Sequence, residues 1–294
     1  MTQWKANLRT RITQNWASLF DKSSAATKEL MFYLASSDIG VIRNGGRQGA
    51  RHAPQTILHH FKKLVTSNAP YHCKQVNVAK SYQIEKDLDS FELDQKSQLA
   101  AISTSLKNHA VHLGGGHDHI YPFAMAVAKK FDHLHVINID AHLDTRQDSS
   151  KHSGTPFRQL HQALGDKLSL TQIGIRSSAN VSDNYQDIKM SIYTMEDLER
   201  GALDNLKLEL KPKTALILSI DCDGIDSSLM SAVSAPNPYG LTRTHLNKIK
   251  EVTKSYWHRH DHLYVGFYEY NPLFDNISAT NAKFLAHYLN ELIS

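Results

Sequence analysis

The chain has 294 residues, 41% of them hydrophobic and 21% charged, with a net charge of +4. That length can bury a substantial core, and the scattered lysines and arginines lack the basic stripe of a dedicated nucleic-acid binder. Cys73 and Cys222 are the only cysteines; they exclude a disulfide framework and point to the reducing cytoplasm. No stretch approaches the roughly twenty apolar residues that span a bilayer. The opening MTQWKANLRTR is not followed by the apolar run of a secretory signal. The expected protein is cytoplasmic, with neither membrane nor nucleic acid as partner.

In chain order, residues 4–20 and 24–34 are expected to form an amphipathic N-terminal layer. Ser37–Pro54, SDIGVIRNGGRQGARHAP, is rich in Gly and Arg and reads as a strand end followed by a loop. Ala53–Leu64 follows as a helix with Pro54 in its first turn. Strand, loop and helix then repeat. His109–Leu113 is a short strand closed by Gly114–Gly116, with a helix near Ile120–Lys130. LHVINI at Leu134–Ile139, LTQIGI at Leu170–Ile175 and HLYVGF at His262–Phe267 are further strands. TALILSI, Thr214–Ile220, is nearly all apolar, as befits a central parallel strand covered on both faces. Ser278–Leu292 closes the chain as a helix. The alternation predicts an α/β fold with a mainly parallel sheet and helices on both sides. No linker or repeat divides the chain, so residues 1–294 are expected to form one domain.

Ligands of such sheets bind at the carboxyl ends of the strands, and three of those ends carry acids and histidines. They are GGGHD at Gly114–Asp118, DAHLD at Asp140–Asp144 and DCD at Asp221–Asp223. In an extended backbone, Asp140, His142 and Asp144 share a face, as do Asp221 and Asp223. Ala141, Leu143 and Cys222 then point away. Taken singly, His117 reads as a solvated loop residue, and Asp221 and Asp223 serve equally well as helix caps or a magnesium site. Taken together they put several carboxylates in one cleft, which is costly unless cations neutralise them. Mixed carboxylate and imidazole donors suit Mn2+ or a related ion. Four Asp and two His are too many for one ion that keeps a position open for water. Two ions with shared carboxylates fit better.

The motifs NGGRQGARHAP, GGGHD, NIDAHLD, SIDCDGID and EYNP carry a resemblance to the ureohydrolase family of arginases, agmatinases and formimidoylglutamases. It runs from about Asp38 to the C-terminus. The resemblance implies a three-layer α/β/α sandwich around a parallel sheet. It assigns a first metal to His117, Asp140, Asp144 and Asp221, and a second to Asp140, His142, Asp221 and Asp223. Asp140 and Asp221 thereby become shared, catalytic ligands. Glu269, in EYNP, becomes the catalytic carboxylate that binds the substrate's amidine, a role for which a charge-assisted pair is well suited.

Within the family the chain looks closest to the formimidoylglutamase branch, which acts in histidine degradation. Arginase-like members have an Asp before the metal His and an Asn two residues after DxHxD; here these are Gly116 and Arg146. SGTPFR at Ser153–Arg158 and SAP at Ser234–Pro236 agree. Arg146 and Arg158 are expected to bind the two carboxylates of N-formimino-L-glutamate, a task that suits arginine's planar fork; the alternative is that they only salt-bridge to surface acids. Arg43, Arg47 and Arg51 are expected to fix their own loop. The alternatives are a urea-releasing agmatinase, guanidinobutyrase or arginase, and, less favoured, a metal-binding homologue without catalysis. Ser227 replaces the proline that usually follows the DxDGxD segment. The proton shuttle stays open between His152 and none. Members of the family often form homo-oligomers, but the sequence carries no interface signature.

Overall fold

The computed structural model describes residues 15–21, 27–66, 69–79, 90–208 and 210–294. Among these residues eight strands form one sheet: β1 (Lys28–Ala35), β2 (Tyr71–Ala79), β3 (His109–Gly114), β4 (His133–Ile139), β5 (Leu168–Ile175), β6 (Met190–Thr194), β7 (Thr214–Asp221) and β8 (Leu263–Tyr268). Their order is β2-β1-β3-β8-β7-β4-β5-β6, and every pairing is parallel. Parallel neighbours need crossovers, and helices supply them.

Side chains alternate between two cores, one on each face of the sheet. Leu216, Leu218 and Ile220 of β7 join the helices Ala53–Lys62, Arg243–His260 and Thr280–Ile293. Ala215 and Ile217 face the helices Phe91–Ser105, Ile120–Ala128 and Pro156–Leu164. All eight residues of β7 are buried, and each of its larger aliphatics contributes about 1.5–3 kcal/mol through burial. The three layers are those the sequence leads one to expect.

The N-terminal expectation needs correcting. Residues 28–35 are strand β1, not part of an amphipathic layer, because both faces of KELMFYLA are covered from Leu30 onward. A short apolar run covered on both sides has no helical stripe to show. Residues 4–14 and 24–26 lie outside the described residues. Of 15–20, Ser18–Asp21 forms a short helix, and Trp16 is fully buried with its Nε1 donating to Asn290 Oδ1 at 2.7 Å. The stretch expected as a loop after Ser37 begins with a short helix, Ile39–Arg43. Among the described residues, no helix is long and apolar enough to cross a membrane.

The four central strands, β3-β8-β7-β4, carry at or just past their carboxyl ends His117, Glu269, Asp221 with Asp223, and Asp140 to Asp144 respectively. The sheet order gathers the three motifs and Glu269, although they are scattered from Gly114 to Glu269 along the chain.

Candidate metal centre and substrate cavity

Beyond β3 the glycines continue along the β1 chain, with Gly115 N donating to Ala35 O at 3.0 Å. A Cβ on Gly115 would lie 2.0 Å from Ser37 O, so this close approach requires glycine. The next turn delivers His117 to a fully buried position. Its Nε2 meets Ser219 Oγ at 2.9 Å, and its ring stacks on Tyr268 with centroids 5.0 Å apart. Nδ1 then faces three carboxylates, Asp144 Oδ2 at 2.8 Å, Asp221 Oδ2 at 3.1 Å and Asp140 Oδ2 at 3.2 Å.

Asp140 and Asp221 converge by turn geometry rather than by strand alternation. β4 ends at Ile139, and His142 N donates back to Asp140 Oδ1 at 2.7 Å. β7 ends at Asp221, whose Oδ1 accepts from Asp223 N at 2.9 Å. Asp221 is therefore a cap and a candidate ligand at once. Ala141, Leu143 and Cys222 are buried in the core. The β7 turn packs directly on the β4 turn: a Cβ on Gly224 would lie 2.7 Å from the Asp140 backbone.

Two groups of possible ligand atoms result among the described residues. His117, Asp140, Asp144 and Asp221 form one; Asp140, His142 and Asp223 form the other. In the second, His142 Nδ1 is 3.2 Å from Asp223 Oδ2 and 3.6 Å from Asp140 Oδ1. Asp140 belongs to both groups. Asp221, expected to be shared, falls in the first only.

The electrostatics are those of crowded carboxylates. Burial, then the charges of Asp223 and Asp140, push Asp221 well above the usual carboxylate range. Burial and Asp140 raise Asp144 to about 6. Asp140 is held low because hydrogen bonds from His117 and His142 outweigh its burial. Burial opposes charge on both histidines, yet the surrounding acids raise His117 strongly and His142 to about 12. Acids crowded in this way call for a counter-charge, which a divalent pair supplies. Asp223 Oδ1 is buried with no hydrogen-bond partner among the described residues. The donor set fits two divalent cations.

Glu269 follows β8 with a left-handed backbone, φ 64°, a conformation costly for a residue with a side chain and often found at functional sites. Its N–H donates to Gly115 O at 2.8 Å, and its Oε1 accepts from His117 N at 3.0 Å. Burial pushes it up to about 8; the His117 amide opposes this and the Asp223 charge adds to it.

These groups floor a cavity of about 670 Å3, into which His142, Asp144, Asp221, Asp223 and Glu269 project. Arg146 and Asn44 stand on its wall. Arg158 does not, contrary to expectation. Its Nε donates to Thr145 O at 3.2 Å, its Nη1 to Asp187 Oδ2 at 2.6 Å and its Nη2 to Asn184 O at 2.7 Å. With its donors committed and its side chain 7% exposed, Arg158 braces a loop instead of facing a substrate. His152 is buried behind the wall rather than on it. Its Nδ1 accepts from Gly154 N at 3.0 Å and its Nε2 pairs with Asp148 Oδ2 at 2.7 Å, and both partners line the cavity. Arg43 and Arg47 do fix their loop: Arg43 Nη1 donates to Lys151 O at 2.9 Å, and Arg47 lies over the Phe274 ring.

Sequence reasoning missed Asn44, Asn180 and Arg176. Asn180 Oδ1 accepts from Leu143 N at 2.8 Å and holds the DAHLD turn; Arg176 Nη2 lies 3.1 Å from His142 Nε2. Neither residue has a periodicity or a charged neighbour in sequence to reveal it. Asn44 does lie in the glycine-rich motif.

The Arginase family model matches residues 30–293. Formimidoylglutamase of Staphylococcus carnosus is 29% identical over 265 residues, covering 87% of this chain and 83% of its own. That of Klebsiella pneumoniae is 30% identical over 253 residues, covering 81% and 77%. Among solved structures, formiminoglutamase of Trypanosoma cruzi with Mn2+ gives a TM-score of 0.73 at 21% identity, covering 95% of this chain and 97% of that one. Arginase from Bacillus subtilis gives 0.73 at 20%, covering 91% and 99%. At such identities the structural likeness establishes the fold and does not choose a substrate.

Proposed function

The chain belongs to the arginase family, and on that premise we propose that it hydrolyses N-formimino-L-glutamate to L-glutamate and formamide with two divalent cations, Mn2+ foremost. The observation that carries this reading is the pair of carboxylate–imidazole groups joined at Asp140 beneath a cavity with an arginine, not a neutral amide, at position 146. The relatives named formimidoylglutamase, at 29–30% identity over four-fifths or more of this chain, support it.

When bound, the ions supply Lewis acidity and bring the pKa of a water toward neutrality. The residues do the rest. Asp140 offers Oδ2 toward His117 and Oδ1 toward His142, and so ties the two ligand groups into one rigid unit. Asp221 belongs to the group around His117, and Asp223 to the group around His142. Glu269 has one oxygen held by the His117 amide, leaving the other for the N–H groups of the substrate. A cationic N–C–N group there favours the carboxylate form, opposing the effect of burial. Water adds to the formimino carbon, the bond from that carbon to the glutamate nitrogen breaks, and the departing nitrogen takes up the proton that the added hydroxyl gives up as it becomes the formamide carbonyl. Arg146 binds a substrate carboxylate from the wall. The activity belongs to histidine breakdown in the cytoplasm.

A second reading, urea release from a guanidine substrate, draws on Arg146 being paired already with Asp148 at 2.7 Å, which offsets its charge. Assays of Mn2+-loaded protein on N-formimino-L-glutamate, agmatine, arginine and guanidinobutyrate separate the two. Formamide from the first substrate is expected. Urea from any guanidine, at a higher kcat/KM, overturns the substrate assignment.

A further inference from the structure

Asn44 follows the Ile39–Arg43 helix and stands on the cavity wall. Its Oδ1 accepts from Arg146 Nη1 at 2.6 Å, and its Nδ2 donates to Ser153 Oγ at 3.2 Å. Arg146 is gripped elsewhere too. Its Nη2 pairs with Asp148 Oδ2 at 2.7 Å, and its backbone N–H donates to Gly154 O at 3.1 Å. Asp148 is in turn held by His152 Nε2 at 2.7 Å. A Cβ on Gly154 would lie 3.3 Å from both Arg146 Cδ and Asn44 Nδ2, so the three pieces of chain pack closely here.

Arg146 has a side chain 49% exposed, and an arginine so exposed ordinarily surrenders considerable rotamer freedom when it binds a ligand. Asn44 removes part of that cost before the substrate arrives. The chemistry of its acceptor matters as well. Arg146 already faces one carboxylate, and a second at position 44 would give it two anions and turn an attractive wall into a repelling one. A neutral amide orients the guanidinium without taking its charge.

We propose that Asn44 is a positioning residue for substrate specificity, holding the Arg146 guanidinium toward the cavity so that it receives a carboxylate of the substrate. This rests on the reading of Arg146 given above. The glycine-rich loop thereby has a part in recognition as well as in packing.

Kinetics on the full-length, Mn2+-loaded protein test it, with Asn44→Ala, Asn44→Asp, Arg146→Ala and the Asn44→Ala/Arg146→Ala double variant. Asn44→Ala raises KM for N-formimino-L-glutamate about tenfold with a smaller change in kcat, and weakens inhibition by L-glutamate to a similar extent. Asn44→Asp, nearly isosteric and so a safeguard against misfolding, raises KM at least as much. With Arg146 already replaced, Asn44→Ala adds less than about twofold, as expected of coupled residues. An unchanged KM in Asn44→Asp, or full additivity in the double variant, overturns the inference while leaving the activity standing. No turnover of N-formimino-L-glutamate by the parent protein overturns both.

Discussion

The six candidate ligands were legible as residue types, because acids and histidines just past apolar strands are hard to explain as solvation. Their geometry was less legible. DAHLD is a turn in which Asp140 captures the His142 amide, and Asp144 takes a left-handed backbone with φ 50°. Alternation along a strand gives the right partners for the wrong reason. Asp140, the carboxylate common to both groups, is where neutralisation is expected to harm most. Asp140→Asn should weaken Mn2+ binding at both sites in calorimetric titration, whereas His142→Ala should weaken one and be partly rescued by excess metal. Equal damage from the two changes would contradict the assignment. Arg146→Ala removes a charge-assisted contact of about 1.5–3 kcal/mol, or roughly ten- to a hundredfold in kcat/KM. Metal content measured in parallel should stay unchanged.

At the scale of elements, the central strands announced themselves and the edges did not. TALILSI is covered on both faces and cannot hide its apolar run. β2 at one edge exposes Lys74, Gln75 and Asn77, and β6 at the other is only half-buried, so neither shows the signature of a core strand. The Phe91–Ser105 helix buries Gln95 and Gln98 beside Phe91 and Ile102, which leaves its apolar stripe too thin to read. The Arg243–His260 helix does bury Leu246, Ile249, Thr253 and Tyr256 at helical spacing, and that pattern was available in the sequence. The contact between the β7 and β4 turns gives a sharper test. Gly224→Ala places a methyl 2.7 Å from backbone atoms of Asp140, which cannot yield without moving a proposed ligand. A loss of about 1–3 kcal/mol in unfolding free energy is expected, with weaker Mn2+ binding. Chemical denaturation and metal titration of the same variant check both; a neutral effect would mean that the turns can separate.

For the whole molecule, the sheet order accounts for the site: four adjacent strands bring together motifs that the sequence holds far apart. Two histidines on or beside the same sheet are sensitive to acid. Burial lowers His135 to about 4, and burial with the charges of His260 and His109 lowers His262 to about 4. His262 Nε2 accepts from Leu216 N at 3.3 Å, an arrangement open only to the neutral ring. Between about 6.5 and about 4 the unfolded chain binds protons that the folded chain refuses. The stability that these two rings contribute is therefore present above this window and lost as pH falls through it, by up to about 1.4 kcal/mol per pH unit for each histidine. In metal-free protein Asp144, raised to about 6, and Glu269, raised to about 8, act in the opposite sense over the same range, so the test is the difference between parent and His262→Gln in denaturant unfolding. That difference should shift against the parent as pH falls from about 6.5 to about 4; a difference that does not change with pH would place the His262 ring in contact with solvent.

The most direct test of the central claim is turnover of N-formimino-L-glutamate followed against the number of Mn2+ ions bound per chain. The account predicts formamide as the product and activity that reaches its plateau at two ions. A plateau at one ion would contradict the paired centre, and absence of formamide at any loading would contradict the reaction.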